Sequence, residues 1–252
     1  MDAQQSNLNF DSILIVTYGR SGSTLLQGLL NQLDGIFVRG ENGDAFGLLW
    51  AMYRRLAILK REHGTYVKGP SKPWYGIGAV KLDVLLGQMR EMAKSIILAD
   101  QKDNPEILCY GFKEIRYHYH KELLPNYLDF LSVIFPRPAI IFNTRDLSEV
   151  VRSGWWANSD PEGVRQELSA AEKQFSDYAA GKSNCFEITY EDVVGRTEKL
   201  RDLFAFLGVE YNDEIVQRTL SKPHSINPTQ ASVKSLFNAR QVEAVNRSKR
   251  QT

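Results

Sequence analysis

Cysteine is scarce in this sequence, which has two in 252 residues, Cys109 and Cys185. Each lies in an apolar run typical of a buried strand, so we expect reduced core thiols and not a disulfide framework. No apolar run approaches the roughly 20 residues that cross a bilayer. The first residues, MDAQQSNLNFDS, have neither the basic start nor the apolar centre of a signal peptide. We therefore expect no membrane span, no export and a cytoplasmic location.

An excess of charge of either sign is also missing, because 31 Lys and Arg face 30 Asp and Glu, a net charge of +1. A balanced chain has no general attraction for nucleic acid or anionic membrane, so neither is an expected partner and any anion site has to be local. The length fits one domain over residues 1–252, with a lead over about 1–11 and an irregular tail over about 221–252.

Four short apolar runs are candidates for buried parallel strands. They are ILIVTY from Ile13, ILCYGF from Ile107, AIIFNT from Ala139 and CFEITY from Cys185. Helical spacing of apolar residues between and after them predicts helices over about 25–33, 44–63, 79–99, 164–178 and 197–207. The alternation predicts an α/β fold, a single domain of three layers (α/β/α) with a mostly parallel central sheet.

Local features refine these helices. Gly35 is expected to end the first helix, Asp44 to cap the second, and Met92 to lie on the buried face of the third. Between the second and third lies GTYVKGPSKPWYGIG, whose glycines, prolines and aromatic residues predict an ordered loop or lid.

A polar loop follows the first predicted strand, at the position where open α/β sheets bind ligands. Its two glycines allow a tight turn and a close approach of a ligand to the backbone. The amides of the next helix point outward there, the helix dipole favours an anion, and an arginine adds a forked set of donors. The loop therefore predicts a phosphate site made of Gly19, Arg20, Ser21, Gly22, Ser23, Thr24 and Leu25.

A plainer interpretation of this loop is that Ser21 or Ser23 caps the helix while Arg20 points into solvent. The strand, the glycines and the arginine together favour anion binding over that interpretation. The loop also differs from the nucleoside triphosphatase signature, because Gly22-Ser23-Thr24 stands where Gly-Lys-Ser/Thr is required. The missing lysine weakens an interpretation as an ATP or GTP hydrolase.

Two segments together resemble one protein family. TYGRSGSTLL resembles the P-loop-like 5′-phosphosulfate loop of sulfotransferases that use 3′-phosphoadenosine 5′-phosphosulfate (PAPS). FNTRDLSEVVRSGWW resembles their 3′-phosphate signature, an arginine and a later serine that share one phosphate, here Arg145 and Ser153. Two helical turns would bring both side chains to one ligand. Their plainer roles are an ion pair with Asp146 and a helix-surface serine. The resemblance extends from about Ser12 to Tyr211 and is closest to bacterial and carbohydrate-type members.

The resemblance implies PAPS as donor and 3′-phosphoadenosine 5′-phosphate (PAP) as product. The implied acceptor is a hydroxyl of a carbohydrate or small alcohol, reached by in-line transfer. Tyr190, in ITYEDV, matches a family element that contacts adenine, and a buried core tyrosine is the alternative. The chemistry requires no metal, and the close pair His118 and His120 has no cysteine or carboxylate at ligand spacing.

Glu41, in FVRGENGD, is the expected base, because bacterial and carbohydrate sulfotransferases often have a catalytic glutamate there. Its alternative is an ion pair with Arg39. Cytosolic members use a histidine, which makes His118 the rival base. Lys113, at the end of a predicted strand, is expected to reach the phosphosulfate or the acceptor, and Arg20 to supply catalytic charge. For Lys113 a pair with the neighbouring glutamate or a solvated end remains open.

Three tryptophans, Trp74, Trp155 and Trp156, are candidates for lining an acceptor site or for packing under loops. Two other functions stay open. One is a P-loop kinase using Mg-ATP, which leaves Arg145 and Ser153 without a role. The other is a nucleotide-binding module without catalysis, which predicts donor affinity but no transfer.

Overall fold

The computed structural model describes residues 8–65 and 69–222. Its strands are β1 (Ser12–Thr17), β2 (Ile36–Arg39), β3 (Cys109–Glu114), β4 (Pro138–Thr144) and β5 (Cys185–Thr189). Its helices are α1 (Ser23–Leu30), α2 (Ala45–His63), α3 (Leu82–Leu98), α4 (Leu124–Ile134), α5 (Leu147–Val150), α6 (Pro161–Ala179), α7 (Tyr190–Gly195), α8 (Glu198–Leu207) and α9 (Asp213–Leu220). Short 3₁₀ segments cover Ile77–Ala79, Ala99–Gln101, Tyr117–Leu123 and Gly154–Asn158. Nearly all of the predicted tail lies outside the described residues, so the tail and the domain limits stay predictions.

All strand pairs in this sheet are parallel, and the order across it is β2-β3-β1-β4-β5. β1 lies at the centre, paired with β3 on one side and with β4 on the other. The chain builds β2 and β3 on one side of β1 and then crosses to add β4 and β5 on the other. The direction of winding thus changes at β1, the kind of position where open α/β sheets bind ligands. The predicted α/β fold with a parallel sheet is confirmed.

Helices cover both faces of the sheet. Leu14 and Val16 of β1 pack into a core shared with α2, α3, α4 and α6, whereas Ile13 and Ile15 pack on the other side with α1 and α8. A strand that is buried on both faces needs apolar residues on both, which explains why Ile13 to Val16 form a continuous apolar run without polar alternation. The three predicted layers follow from these two cores.

Several helix ends differ from the expectations. α1 ends at Leu30. Gly35, which has φ of 78°, lies in the turn before β2 and not at a helix end. β2 itself has no counterpart among the predicted strands, because its apolar run, Ile36 to Val38, has only three residues, fewer than the roughly four to eight that indicate a buried strand. Asp44 precedes α2 as expected but forms no capping hydrogen bond. The oxygen Oδ1 of Asn42 accepts the N–H of Ala45 at 2.9 Å instead.

The predicted apolar stripes are partly right. Every residue predicted for the stripe of α6 is buried, namely Val164, Leu168, Ala171, Phe175 and Tyr178. Met92 of α3 is 48% exposed, so its predicted burial is wrong. Both cysteines are free thiols, and Cys109 is buried, but Cys185 is half-buried, so its predicted place in a buried strand is wrong. Among the described helices, none has the length and apolar character needed to span a membrane.

The segment between α2 and α3 is attached to the far end of α2; its residues 66–68 lie outside the described part. Lys60 Nζ donates to the carbonyls of Gly78 and Val80 at 2.7 and 2.6 Å. Trp74 stacks on His63 with ring centroids 4.8 Å apart. Because α2 has 19 residues, this end lies about 28 Å along the helix from its start. Trp74 is therefore distant from the carboxyl end of β2, which leads into α2.

Candidate functional site

The predicted site residues gather where strands end. The polar loop follows β1, Glu41 follows β2, Lys113 lies near the end of β3, Arg145 follows β4 and Tyr190 follows β5. Because all the strands are parallel, their carboxyl ends share one edge of the sheet. Ser153 is farther along the chain, beyond α5. The strand order therefore collects residues that are far apart in sequence.

α1 begins without a side-chain cap. Its N-cap residue is Gly22, in the left-handed conformation with φ of 78°, and no side chain in the described part bonds to the first turn. The interpretation that Ser21 or Ser23 caps this helix is therefore wrong. Ser21 is buried, and its Oγ lies 2.6 Å from Oγ1 of Thr17. That contact ties the loop to the end of β1.

One amide of the first helical turn is not available to a ligand, contrary to the prediction. The N–H of Leu25 donates to the carbonyl of Gly22 at 2.9 Å, so it is used inside the loop. Ser23 and Thr24 occupy the first two helical positions, where an α-helix offers no carbonyl to the N–H groups. These two amides, together with the helix dipole, are suited to an anion.

Two aromatic rings lie against the glycines of the loop. A Cβ atom at Gly19 would lie 2.1 Å from the ring of Trp155, and one at Gly22 would lie 2.2 Å from the ring of Tyr190. Real Cβ atoms do not come so close, so a larger residue would displace a ring. The glycines thus admit these rings in addition to allowing the turn.

Arg20 is exposed, and its side chain extends along the segment after α5. Its Nε donates to Oγ of Ser153 at 3.0 Å. A Cβ at Gly154 would lie 2.9 Å from the Arg20 side chain, so the glycine makes room for it. Arg20 itself has φ of 73°, a left-handed backbone uncommon for a residue with a side chain.

Arg145 completes this group. Its Nη1 donates to the carbonyl of Arg20 at 3.3 Å, and its guanidinium lies 4.5 Å from the ring centroid of Tyr190. Its Nε is buried and has no hydrogen-bond partner among the described residues. Asp146 caps α5 through the N–H of Ser148 at 2.8 Å, with no ion pair to Arg145 among the described contacts. A buried donor without a partner is costly, and an anionic ligand would supply the acceptor.

Ser153 reaches the group by a different route from the predicted one. α5 ends at Val150, and Ser153 has an extended backbone with φ of −111° and ψ of 133°. It therefore does not lie two helical turns beyond Arg145. The short helix α5, a turn at residues 151–152 and the extended backbone of Ser153 bring its hydroxyl to Arg20.

Glu41 and Lys113 form an ion pair. Lys113 Nζ lies 2.7 Å from Oε1 of Glu41, and the lysine side chain is 5% exposed. Arg116 approaches Oε2 of the same carboxylate at 3.4 Å. The alternative pairing of Glu41 with Arg39 is wrong, because Arg39 bonds Asp100 at 2.5 Å. The pairing of Lys113 with the neighbouring glutamate is likewise not formed.

Glu114 and Arg116 are the residues that the motifs do not reveal. Glu114 is 1% exposed, and its Oε2 accepts the N–H groups of Asn42 and Asp44 at 3.1 and 3.0 Å. Its Oε1 lies 2.6 Å from Nη1 of Arg116. The loop that carries Glu41 is therefore fixed to a buried carboxylate. The charged residues of KEIR, which begin at the end of β3 directly after its apolar residues, are the signal that indicates them.

His118, the rival base, faces a separate cavity. It is 6% exposed and borders a cavity of about 430 Å³ between the 3₁₀ segment Tyr117–Leu123 and α6. Its Nε2 lies 3.9 Å from Oε1 of Glu167. The residues that line this cavity are His118, Lys121, Glu122, Glu167, Ala170, Ala171 and Gln174, and none of them belongs to the loop after β1.

We expect His118 to make folding stability depend on pH. Burial lowers its pKa below the usual 6.5, although Glu167 acts in the opposite direction. As pH falls, the unfolded chain therefore binds the proton at a higher pH than the folded chain does. The stability that comes from keeping His118 neutral is fully present above about pH 6.5, and it is lost as the pH falls below that value. Urea unfolding between pH 7.5 and 5 should show a smaller loss of stability in His118→Gln than in the wild type. Equal losses in the two proteins would contradict the prediction.

Comparison with known proteins bears on the family. The model of the sulfotransferase family matches residues 12–213. Among solved structures, the chain is similar to the sulfotransferase domain of the Synechococcus PCC 7002 olefin synthase, with a TM-score of 0.54 and 18% identity over 92% of this chain and 86% of that one. At that identity the likeness supports the fold alone.

Two further structures are less similar. The sulfotransferase domain from the curacin biosynthetic pathway has a TM-score of 0.49 and 17% identity, over 85% of this chain and 79% of that one. Retinol dehydratase in complex with retinol and PAP has a TM-score of 0.36 and 15% identity, over 85% of this chain and 65% of that one. Among curated proteins, none matches the sequence significantly.

Proposed function

The chain belongs to the sulfotransferase family, and from this we propose that it moves a sulfuryl group from PAPS to a hydroxyl of a carbohydrate or small alcohol. The observation that carries the proposal is the contact between two distant segments. Arg20 of the loop after β1 meets Ser153, and Arg145 after β4 meets the carbonyl of Arg20. One ligand with phosphates at both ends would lie against both segments.

The residues of this group fit a donor with two anionic ends. The amides of Ser23 and Thr24 and the guanidinium of Arg20 would hold the 5′-phosphosulfate. Arg145 and Ser153 would hold the 3′-phosphate, and the Nε of Arg145, which has no hydrogen-bond partner within residues 8–65 and 69–222, supports that assignment. Tyr190, whose ring lies under the Arg145 guanidinium, would contact the adenine.

PAPS supplies a sulfuryl group that is already activated by its phosphate leaving group. Glu41 would accept the proton of the attacking hydroxyl, while Lys113 and Arg116 hold its carboxylate in place. Arg20 and Lys113 would stabilise the charge that develops as the bond to the leaving phosphate breaks. The exposed ring of Trp155, 48% accessible beside the loop, offers an apolar face to a sugar or alcohol.

Calorimetric titration with PAP tests the donor assignment. We expect saturable binding with Kd below about 1 mM without added metal, because the proposed contacts are amides, arginines and a serine. ATP with Mg²⁺ is the comparison ligand. Absence of PAP binding would contradict the proposal, and tighter binding of Mg-ATP than of PAP would favour the kinase alternative.

Transfer itself is tested with ³⁵S-labelled PAPS against a mixed panel of saccharides, small alcohols, phenols and peptides. We expect label on a saccharide or alcohol acceptor. PAP binding without labelled product from any acceptor would favour the non-catalytic module. Product confined to phenols or peptides would contradict the proposed acceptor class.

A further inference from the structure

Tyr18, the residue after β1, places its hydroxyl against the backbone of Arg145. The residue is fully buried, and its OH accepts the N–H of Arg145 at 3.0 Å. The carbonyl of Arg145 also lies 3.0 Å from this oxygen, and Oε1 of Glu172 lies 2.5 Å away. Glu172 is half-buried on α6. One hydroxyl thus joins the loop after β1, the end of β4 and a helix of the outer layer.

The N–H of Arg145 has no partner in the sheet. The last residue of β4 in register with β1 is Asn143, opposite Thr17, and the last in register with β5 is Thr144, opposite Thr189. Arg145 comes after both, and α5 begins only at Leu147. A backbone N–H that is shielded from water needs an acceptor. The half-buried N–H of Arg145 finds one in the hydroxyl of the fully buried Tyr18.

The hydroxyl can serve these partners because it donates and accepts at once. Its single proton goes to Glu172 or to the Arg145 carbonyl, while a lone pair accepts the Arg145 N–H. Burial, and then the bond to Glu172, raise the pKa of Tyr18 far above its usual value. The hydroxyl therefore keeps its proton across the physiological range.

We propose that Tyr18 and Glu172 are positioning residues for the donor, which fix the Arg145 backbone so that its guanidinium lies over Tyr190 and against the loop after β1. The inference rests on the proposed function, because it assigns Arg145 to the 3′-phosphate. A bidentate guanidinium contact depends on orientation, and small misplacements of a positioned group cause large losses. Tyr18 acts through Arg145 and does not touch the donor itself.

The test compares ligands that differ at the 3′ position. PAP carries the 3′-phosphate and adenosine 5′-monophosphate (AMP) lacks it. In Tyr18→Phe we expect PAP to bind about tenfold more weakly, equivalent to about 1.4 kcal/mol, with AMP affinity within twofold of the wild type. Glu172→Ala should show the same pattern, whereas Glu172→Gln, whose amide oxygen still accepts the tyrosine proton, should keep most of the PAP affinity.

Tyr178→Phe is the matched control. Tyr178, on α6, donates to Asp129 at 2.9 Å, so the change removes the same kind of bond away from Arg145. We expect an unchanged ratio of PAP to AMP affinity in this variant. In an Arg145→Ala background, Tyr18→Phe should cause no further loss of PAP affinity, because coupled residues are non-additive.

The outcomes separate this inference from the proposed function. If wild-type protein fails to bind PAP, the proposed function is wrong. If it binds PAP and Arg145→Ala weakens binding, but Tyr18→Phe leaves both affinities unchanged or lowers both equally, the positioning role alone is wrong. Thermal unfolding of each variant shows whether the fold is retained, and a folded Tyr18→Phe with a selective loss for PAP supports the inference.

Discussion

Replacing Glu41 by glutamine is expected to lower kcat by about 10²–10⁴-fold, the usual contribution of a general base. Glutamine keeps the shape of the side chain and an oxygen that can accept from Lys113, but it does not take the hydroxyl proton. Because Glu41 is assigned to the acceptor and not to the donor, the Kd for PAP should stay within about twofold. Steady-state transfer of ³⁵S and calorimetry with PAP measure the two quantities.

Two variants serve as controls for that result. Glu106→Gln changes an exposed acid in the loop before β3 and should leave turnover unchanged. His118→Gln changes the rival base. Wild-type turnover in Glu41→Gln, or a large loss of kcat in a well-folded His118→Gln, would reject Glu41 as the base and favour the histidine.

Removal of the Arg145 guanidinium should produce the largest loss of donor affinity. In Arg145→Ala we expect the Kd for PAP to rise about 100-fold, because truncating one partner of a close charge pair costs about 2–5 kcal/mol. AMP, which lacks the 3′-phosphate, should bind as it does to the wild type. Calorimetry with both ligands measures the difference.

Arg152→Ala is the control for this variant. Arg152 follows α5 and bonds Glu149 at 2.7 Å, and its side chain is 69% exposed. We expect its PAP affinity to match that of the wild type. Unchanged PAP affinity in Arg145→Ala would remove the 3′-phosphate assignment, and an equal loss for PAP and AMP would assign Arg145 to another part of the nucleotide.

The sheet could be predicted wherever a strand is buried on both faces. Three of the strands, β1, β3 and β4, are apolar runs whose residues are nearly all buried, and the helices between the strands fix their parallel direction. β5 was predicted from an apolar run as well, although only Ile188 in it is buried. β2 could not be predicted in this way, because its apolar run of three residues, Ile36 to Val38, is shorter than the roughly four to eight residues that indicate a buried strand. The end of α1 also differs from the prediction, because its last residue, Leu30, depends on how the chain turns into β2.

Site residues could be predicted where they directly follow a strand, because the end of the strand then determines their position. The loop after β1 and Arg145 follow adjacent central strands, so topology alone brings them together. The position of Ser153 could not be predicted, because it depends on the short helix α5 and on the bend at Gly154. Neither gives a periodic pattern in the sequence. The contacts of Glu114 depend on the path of the loop after β2, and sequence spacing does not encode that path.

The left-handed backbone of Arg20 has a consequence for how the protein can be improved. That conformation costs a residue with a side chain about 1 kcal/mol relative to glycine, so heat resistance alone would favour glycine at this position. Glycine there would also remove the cation that meets Ser153. A glycine at this position is therefore expected to raise thermal stability and, at the same time, to weaken binding of the donor.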